Sequence, residues 1–212
     1  MTDVGRIITC DACVAEGAAF LASLDPRFAR ALDEIGSLPL RLKDDGFAAL
    51  LDAIVGQQIS VAAASSIWAR MRDDGLTTSQ SICAASDEDL KGVGLSRPKV
   101  RYVRALSESQ LNYSKLKDKV NADVVKELTA VTGIGTWTAQ VYALSSLGRA
   151  DIFPNGDLAL QESARVLFEL DTRPNEKEMA IMAANWAPWR AVAARLLWAY
   201  YRIIKQREGM KL

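Results

Sequence analysis

Asp157 stands in the stretch DIFPNGDLALQ (151–161), where proline and glycine make a loop and an amphipathic helix begins directly afterwards. A carboxylate there can do two jobs. It can cap the helix, a common use of aspartate. It can also supply negative charge at a fixed place, because amide donors and the positive end of the helix dipole face it. Upstream, TAVTGIGTWTAQ (129–140) sets Gly133 and Gly135 around Ile134, with Trp137 close behind and no charged side chain. Such a turn lets the backbone approach something bulky. The first amides of the next helix then form a site for an anion such as phosphate, which needs no lysine. The same turn also reads as a plain joint between two helices, closed by a glycine cap. Downstream, NWAPWRAVAARLLW (185–198) brings Trp186, Trp189 and Trp198 together around Arg190. Aromatic faces in a cleft are how a protein grips a base taken out of a duplex, although each tryptophan taken singly suits a core as well.

Absences narrow the chemistry. The 212 residues include no histidine. That excludes Ser-His and Cys-His centres, histidine-ligated zinc and histidine general bases, so acid–base work falls to a carboxylate. Cys10 and Cys13 form a CDAC pair and Cys83 stands apart. The pair lacks the second ligand pair of a zinc site, the strand–helix context of a redox motif and the four thiolates of an iron–sulfur cluster, so a structural role is expected. No cofactor is expected. Lys and Arg total 26 and Asp and Glu total 26, which leaves charge distribution to point to a partner. KGVGLSRPKVRYVR (91–104) carries Lys91, Arg97, Lys99, Arg101 and Arg104 with no acid, and residues 190–212 carry Arg190, Arg195, Arg202, Lys205, Arg207 and Lys211 against Glu208 alone. Either run alone reads as a solvated face. Together they suggest a basic groove for phosphates, with Arg97, Lys99 and Arg190 among its contacts. No apolar run reaches the length of a membrane span, and the first residues lack the basic start and apolar core of a signal peptide. A cytoplasmic, monomeric protein is expected, with the nucleoid if bacterial.

The elements that must position these residues are helical. Phe47, Leu50, Leu51, Ile54 and Val55 form one apolar stripe, Leu160, Ala164 and Leu167 another, and AVAARLLWAYYRII (191–204) should be a largely buried helix. Nothing sustains a period-two alternation, and GRIIT (5–9) is too short to make a sheet. The fold class is therefore all-α. Gly- and Pro-bearing breaks such as SLDPRF, GSLPLRLKDDG, TGIGT and FPNGD divide the chain into short helices with no long linker. LKGVGLSRPKVRYV echoes VTGIGTWTAQVYAL, each placing a Gly-aliphatic-Gly turn before a helix, and Ser96 and Pro98 suit the start of the first of these helices. The second turn reads as a helix over about 122–131, a hairpin at 132–136 and a helix over about 136–147, with Ile134 packed between them.

GIGTWTAQVYAL, DIFPNGDLAL and WAPWRAVAARLLW, with AIVGQQIS upstream, together resemble the helix-hairpin-helix DNA glycosylase superfamily over about residues 20–205. Within it they are most similar to the 3-methyladenine DNA glycosylase II branch. The resemblance implies two closely packed helical lobes with the active-site cleft between them, forming one module over 1–212 with the hairpin at about 122–147. It implies Asp157 as the catalytic carboxylate. Trp137 and Trp198 become the aromatics that stack on the base, and Val141 lies in the pocket wall where a relative has tyrosine, Tyr142 pointing elsewhere on the helix. Gly133, Ile134, Gly135 and Thr136 become the phosphate-binding turn, and Gln58, with Gln57 beside it, the wedge that enters the minor groove. No metal is required, although the carbonyls of Thr132 and Ile134 could hold a monovalent cation. Relatives that also cleave the strand carry lysine where this chain has Trp137, so base release without strand scission is implied. The implied activity is hydrolysis of the N-glycosidic bond of alkylated bases in double-stranded DNA, chiefly 3-methyladenine, with 7-methylguanine second. A non-catalytic module that binds bent or damaged DNA, or a glycosylase for another lesion class, remains the alternative.

Overall fold

The helical periodicity is realised along almost the whole chain. The computed structural model describes residues 4–209, among which thirteen helices form and no strand. In chain order these are α1 (Asp11–Leu24), α2 (Pro26–Ile35), α3 (Phe47–Gly56), α4 (Val61–Asp73), α5 (Ser79–Ala84), α6 (Asp87–Gly92) and α7 (Arg97–Glu108). They continue with α8 (Tyr113–Leu116), α9 (Asn121–Thr129), α10 (Thr136–Ser145), α11 (Leu158–Leu167), α12 (Glu176–Ala184) and α13 (Arg190–Gly209). GRIIT contributes only an isolated antiparallel bridge between Ile7 and Arg149. Within the described residues no helix is long and apolar enough to cross a membrane.

The breaks fall where turn chemistry puts them. Asp25 caps α2 by accepting from the Arg27 amide, with Pro26 in the first turn. Capping boxes start α5 (Thr78 with Ser81), α6 (Ser86 with Asp89) and α12 (Asn175 with Glu178). Ser96 is the N-cap of α7 with Pro98 in the first turn, although its hydroxyl makes no cap bond.

Two compact units result, each discontinuous with the other along the chain. One contains Lys43–Tyr142 and the other Gly5–Leu42 with the chain from Ala143 onward. In the first unit, Leu50, Leu51, Ile54 and Val55 of α3 are buried as α3 packs on α4 and α7, and α7 packs on α5 and α6. In the second, α13 packs on α11, α2 and α1, burying Leu160, Ala164 and Leu167 against its apolar faces. Gly17 of α1 lets α1 come close to α13: a Cβ there would meet Val192 at 2.6 Å and Trp189 at 2.7 Å. Trp186 stacks on Phe168 and meets Phe28 and Phe153 edge to face. Trp186 and Trp189 are thus core residues rather than base-gripping ones, both buried.

Candidate functional site

In the second unit the site is built on the start of α11. Pro154 accepts the Asp157 amide at 3.0 Å and Gln161 Nε2 donates to the Asn155 carbonyl at 2.9 Å, so the loop is closed on itself before the helix begins. Asp157 is the N-cap. Its Oδ1 accepts from the amides of Ala159 at 2.9 Å and Leu160 at 3.1 Å, and its Oδ2 accepts from the indole Nε1 of Trp198 at 3.2 Å. Only 9% of the residue is exposed. An anion with so little water needs such donors, and here none of the three carries a charge that would cancel it. The cap explains one oxygen. The other is held by a half-buried tryptophan on a helix 41 residues further on, and capping has no use for that. Arg41 lies over the same indole, its Cζ 5.2 Å from the ring centroid, a neighbour that sequence reasoning missed.

In the first unit the hairpin is built from backbone. α9 ends at Thr129 and α10 begins at Thr136, each two residues or fewer from the expected bounds at those ends. Ile134 donates its amide to Val131 at 3.0 Å and buries its side chain, as expected of the residue that sets the angle between the helices. The two glycines differ. Gly133 has φ +95, and a Cβ on it would lie 2.3 Å from Tyr102 Cγ. It is required by its conformation and by the ring packed against it. Gly135 has open space where its Cβ would be, and Gly135 and Thr136 are exposed at the start of α10. The phosphate role expected of the pair therefore rests on Gly135 and Thr136, with Gly133 shaping the turn. Trp137 follows with 43% of its surface exposed, and Val141 is half-buried one turn later. Tyr142 turns away, its hydroxyl accepting the Gly46 amide at 2.9 Å.

The Gln57–Gln58 pair also resolves into two roles. Gln57 Nε2 donates to the Gly133 carbonyl at 3.0 Å and to Thr138 Oγ1 at 3.4 Å, so it fastens the end of α3 to the hairpin. Gln58 takes a left-handed backbone, φ +57, and is exposed. Ser60 then caps α4. Ile59 and Val61, 38% and 84% exposed, flank this tip with apolar surface that the motif alone did not single out.

The basic runs require correction. Lys99 is buried, and its Nζ donates to the Val55 carbonyl at 2.6 Å, closing the C-terminal end of α3; burial pulls its pKa down. It is not a surface contact for phosphate. Arg104 spends its guanidinium on the carbonyls of Ile82 and Ala85 and on Asp87. Arg190 forms a two-toothed ion pair with Asp151 at 2.6 and 2.9 Å, so its charge is already met. Arg195 is fully buried, and burial pulls it down to about 10. Arg207 pairs with Glu34 at 3.0 Å and Lys205 lies over Tyr201, while Lys211 falls outside the described residues. Arg97, Arg101 and Arg202 remain as exposed cations, with Lys91 loosely paired to Glu88 at 3.8 Å. Long basic side chains here serve helix ends first. Among the described residues no three His, Cys, Asp or Glu groups gather to hold a metal. Cys10 and Cys13 sit at the start of α1 with Sγ atoms 3.6 Å apart, and hydrogen bonds, those with Thr9 foremost, lower Cys13 to about 7.

The stretch that carries both the hairpin and Asp157 falls within a match to a known family. Residues 51–191 match the model of a family described as HhH-GPD superfamily base excision DNA repair protein. The chain is 28% identical over 179 residues to the putative DNA-3-methyladenine glycosylase YfjP of Bacillus subtilis, covering 78% of this chain and 62% of that protein. It therefore spans about three-fifths of that relative's length. A solved DNA-3-methyladenine glycosidase from Bacillus halodurans is similar with a TM-score of 0.79 at 30% identity, covering 95% of each chain. Schizosaccharomyces pombe 3-methyladenine DNA glycosylase in complex with abasic DNA is similar with a TM-score of 0.76 at 25% identity, covering 86% of this chain and 95% of that one. Since the matched stretch runs from α3 through the hairpin and Asp157 to the start of α13, the chain belongs to the HhH-GPD superfamily of base excision DNA repair proteins.

Proposed function

We propose that this protein is a monofunctional DNA glycosylase, acting as a monomer on alkylated bases in duplex DNA, chiefly 3-methyladenine and secondarily 7-methylguanine. The observation that carries the reading is the double hold on Asp157, two amides on one oxygen and the Trp198 indole on the other. The hairpin presents the amides of Gly135 and Thr136 to a phosphate, and Arg97, exposed at the start of α7, adds positive charge. Gln58 enters the stack from the minor groove, Gln57 holds its loop to the hairpin, and the damaged nucleotide leaves the duplex. Trp137 and Trp198 offer aromatic faces to the base, with Val141 in the wall. A monovalent cation suits the neutral carbonyl oxygens of Thr132 and Ile134, on either side of the Gly133 carbonyl that Gln57 takes. Such an ion would add positive charge for the same phosphate.

The chemistry follows from the leaving group. An N-alkylated purine carries formal positive charge, so the C1′–N bond breaks with its electron pair passing to the base and no acid is needed. The sugar becomes oxocarbenium-like, and Asp157 stabilises that positive charge where it develops. Water then adds to C1′, losing its proton to the carboxylate or to solvent. Trp137 stands where strand-cleaving relatives carry lysine, so no amine attacks C1′ and the backbone stays whole. The test is direct. Incubation with methylated duplex should release free 3-methyladenine and leave intact abasic strands that break only in alkali. Absence of released base overturns the glycosylase reading, and a borohydride-trapped protein–DNA adduct overturns the monofunctional one.

A further inference from the structure

Arg41 lies between α2 and α3 with a left-handed backbone, φ +51, which residues other than glycine adopt under constraint. The constraint is visible. Arg195, fully buried on α13, donates Nε to the Leu40 carbonyl at 2.9 Å and so pins the peptide that leads into Arg41. The guanidinium is thereby carried onto one face of Trp198, 5.2 Å from the ring centroid, on the indole whose N–H holds Asp157. Among the described residues its N–H groups have no hydrogen-bond acceptor. Burial and then Arg202 disfavour its charge, and Asp157 favours it. A structural arginine finds carbonyls or carboxylates, as Arg195, Arg104 and Arg190 do. Arg41 instead holds a strained backbone in order to place a cation, with its donors unused, beside the carboxylate and the ring.

We propose that Arg41 is a specificity-determining residue, setting the balance between cationic and neutral bases at the Trp198 face. The proposal rests on the glycosylase reading. A formally cationic purine meets a positive charge whichever face of Trp198 it takes: in one case it must displace the guanidinium, in the other it stacks opposite it. Hypoxanthine and 7-methylguanine both offer a carbonyl O6 to the idle N–H groups, so formal charge is what separates them. Arg41 thus penalises 7-methylguanine relative to hypoxanthine, offsetting in part the lability of the alkylated bond.

Single-turnover excision of 7-methylguanine and of hypoxanthine from otherwise identical duplexes tests this with Arg41→Gln and Arg41→Lys. The cationic-to-neutral ratio should rise about two- to thirtyfold in Arg41→Gln, the span of a cation–π contact from exposed to desolvated, and stay near wild type in Arg41→Lys. Arg41→Gly, whose backbone adopts φ +51 without strain, guards against misfolding and should behave like Arg41→Gln. An unchanged ratio in both charge-removing variants overturns the proposal. A second readout needs no catalysis: titration of free 7-methylguanosine, followed by the Trp198 indole N–H resonance assigned with Trp198→Phe. Arg41→Gln should bind it more tightly by a similar factor, and equal affinity overturns the proposal. If wild type releases no base from any duplex, the glycosylase reading falls while this titration still decides the role of Arg41.

Discussion

Two helix starts, α10 and α11, share a backbone and differ in what meets it. At α11 the first amides are taken by the chain's own anion, since Asp157 accepts from Ala159 and Leu160. At α10 the residue before the helix is Gly135, which brings no side chain and leaves open space beside itself. One helix start holds a carboxylate in place, and the other is preceded by a residue that has no side chain. The same partial positive charge meets the chain's own carboxylate in one unit and, in the proposed reading, a phosphate in the other. The lesson is that an N-terminus is an anion site only if the sequence withholds the cap.

Removing the inward anion should have the largest effect. Asp157→Asn still caps, because asparagine caps about as well as aspartate, and excision should nevertheless fall by about two or more orders of magnitude, the scale of a lost electrostatic catalyst. Its single oxygen cannot serve both the amides and the Trp198 indole, so a stability loss of roughly 1–3 kcal/mol should accompany it. Lesion binding should persist or tighten, since the carboxylate repels phosphates. Single-turnover excision, equilibrium binding and thermal melting separate these effects; near-normal excision by a folded variant removes Asp157 from the mechanism. Next comes Gly133→Val. With φ +95 and Tyr102 2.3 Å from the would-be Cβ, it should melt lower by several degrees and bind all DNA poorly. Gly135→Val meets open space. It should stay folded and lose about tenfold or more in affinity for damaged and undamaged duplex alike. A Gly135→Val protein with full affinity and altered lesion preference would break the contrast between the two helix starts.

The contrast was partly legible in the sequence. The loop before α11 and its aspartate could be read because Pro154 and Gly156 mark a turn and Asp157 is a good cap. Its second partner could not be fixed that way, since the helical pattern of α13 does not say which neighbour Trp198 will meet. The glycines at 133 and 135 look equivalent in a string, and their roles separate only when Tyr102, some thirty residues earlier, is seen packed on one of them. The echo at Gly92 and Gly94 misleads for the same reason. There the positive φ falls on the second glycine, +105 at Gly94, where a Cβ would strike Arg70 and Ile67. Arg41 carried no motif at all, because its position depends on Arg195 pinning a peptide 155 residues away. Basic residues were read least well. A charge in a sequence does not reveal whether its stem reaches a helix end first, as those of Lys99 and Arg104 do.

The smallest expected effect sharpens the comparison most finely, because it separates charge from backbone within one short run. If the α10 start binds phosphate through neutral amides, that contact displaces few counterions, and salt dependence comes from the exposed cations of the two basic runs, Arg97, Arg101 and Arg202 foremost. Log affinity should then fall with log salt at a slope of roughly two to four contacts, each contributing about 0.9. Within the run, Arg97 is exposed and Lys99 is buried against the Val55 carbonyl. Arg97→Ala should lower the slope by about one contact and leave melting unchanged. Lys99→Met keeps the apolar stem but leaves that carbonyl without its ammonium donor, costing roughly 1–2 kcal/mol, and should leave the slope unchanged. Gly135→Val should weaken binding at every salt concentration without altering the slope, the signature of a contact made by amides alone. Filter binding of one abasic duplex across a salt series, with a melting curve for each variant, reads all three. A slope that drops with Lys99→Met would mean that the ammonium leaves Val55 when DNA arrives. A slope that drops with Gly135→Val would mean that the hairpin holds its phosphate through a bound cation or a basic side chain, and the difference between the two helix starts would then be one of charge after all.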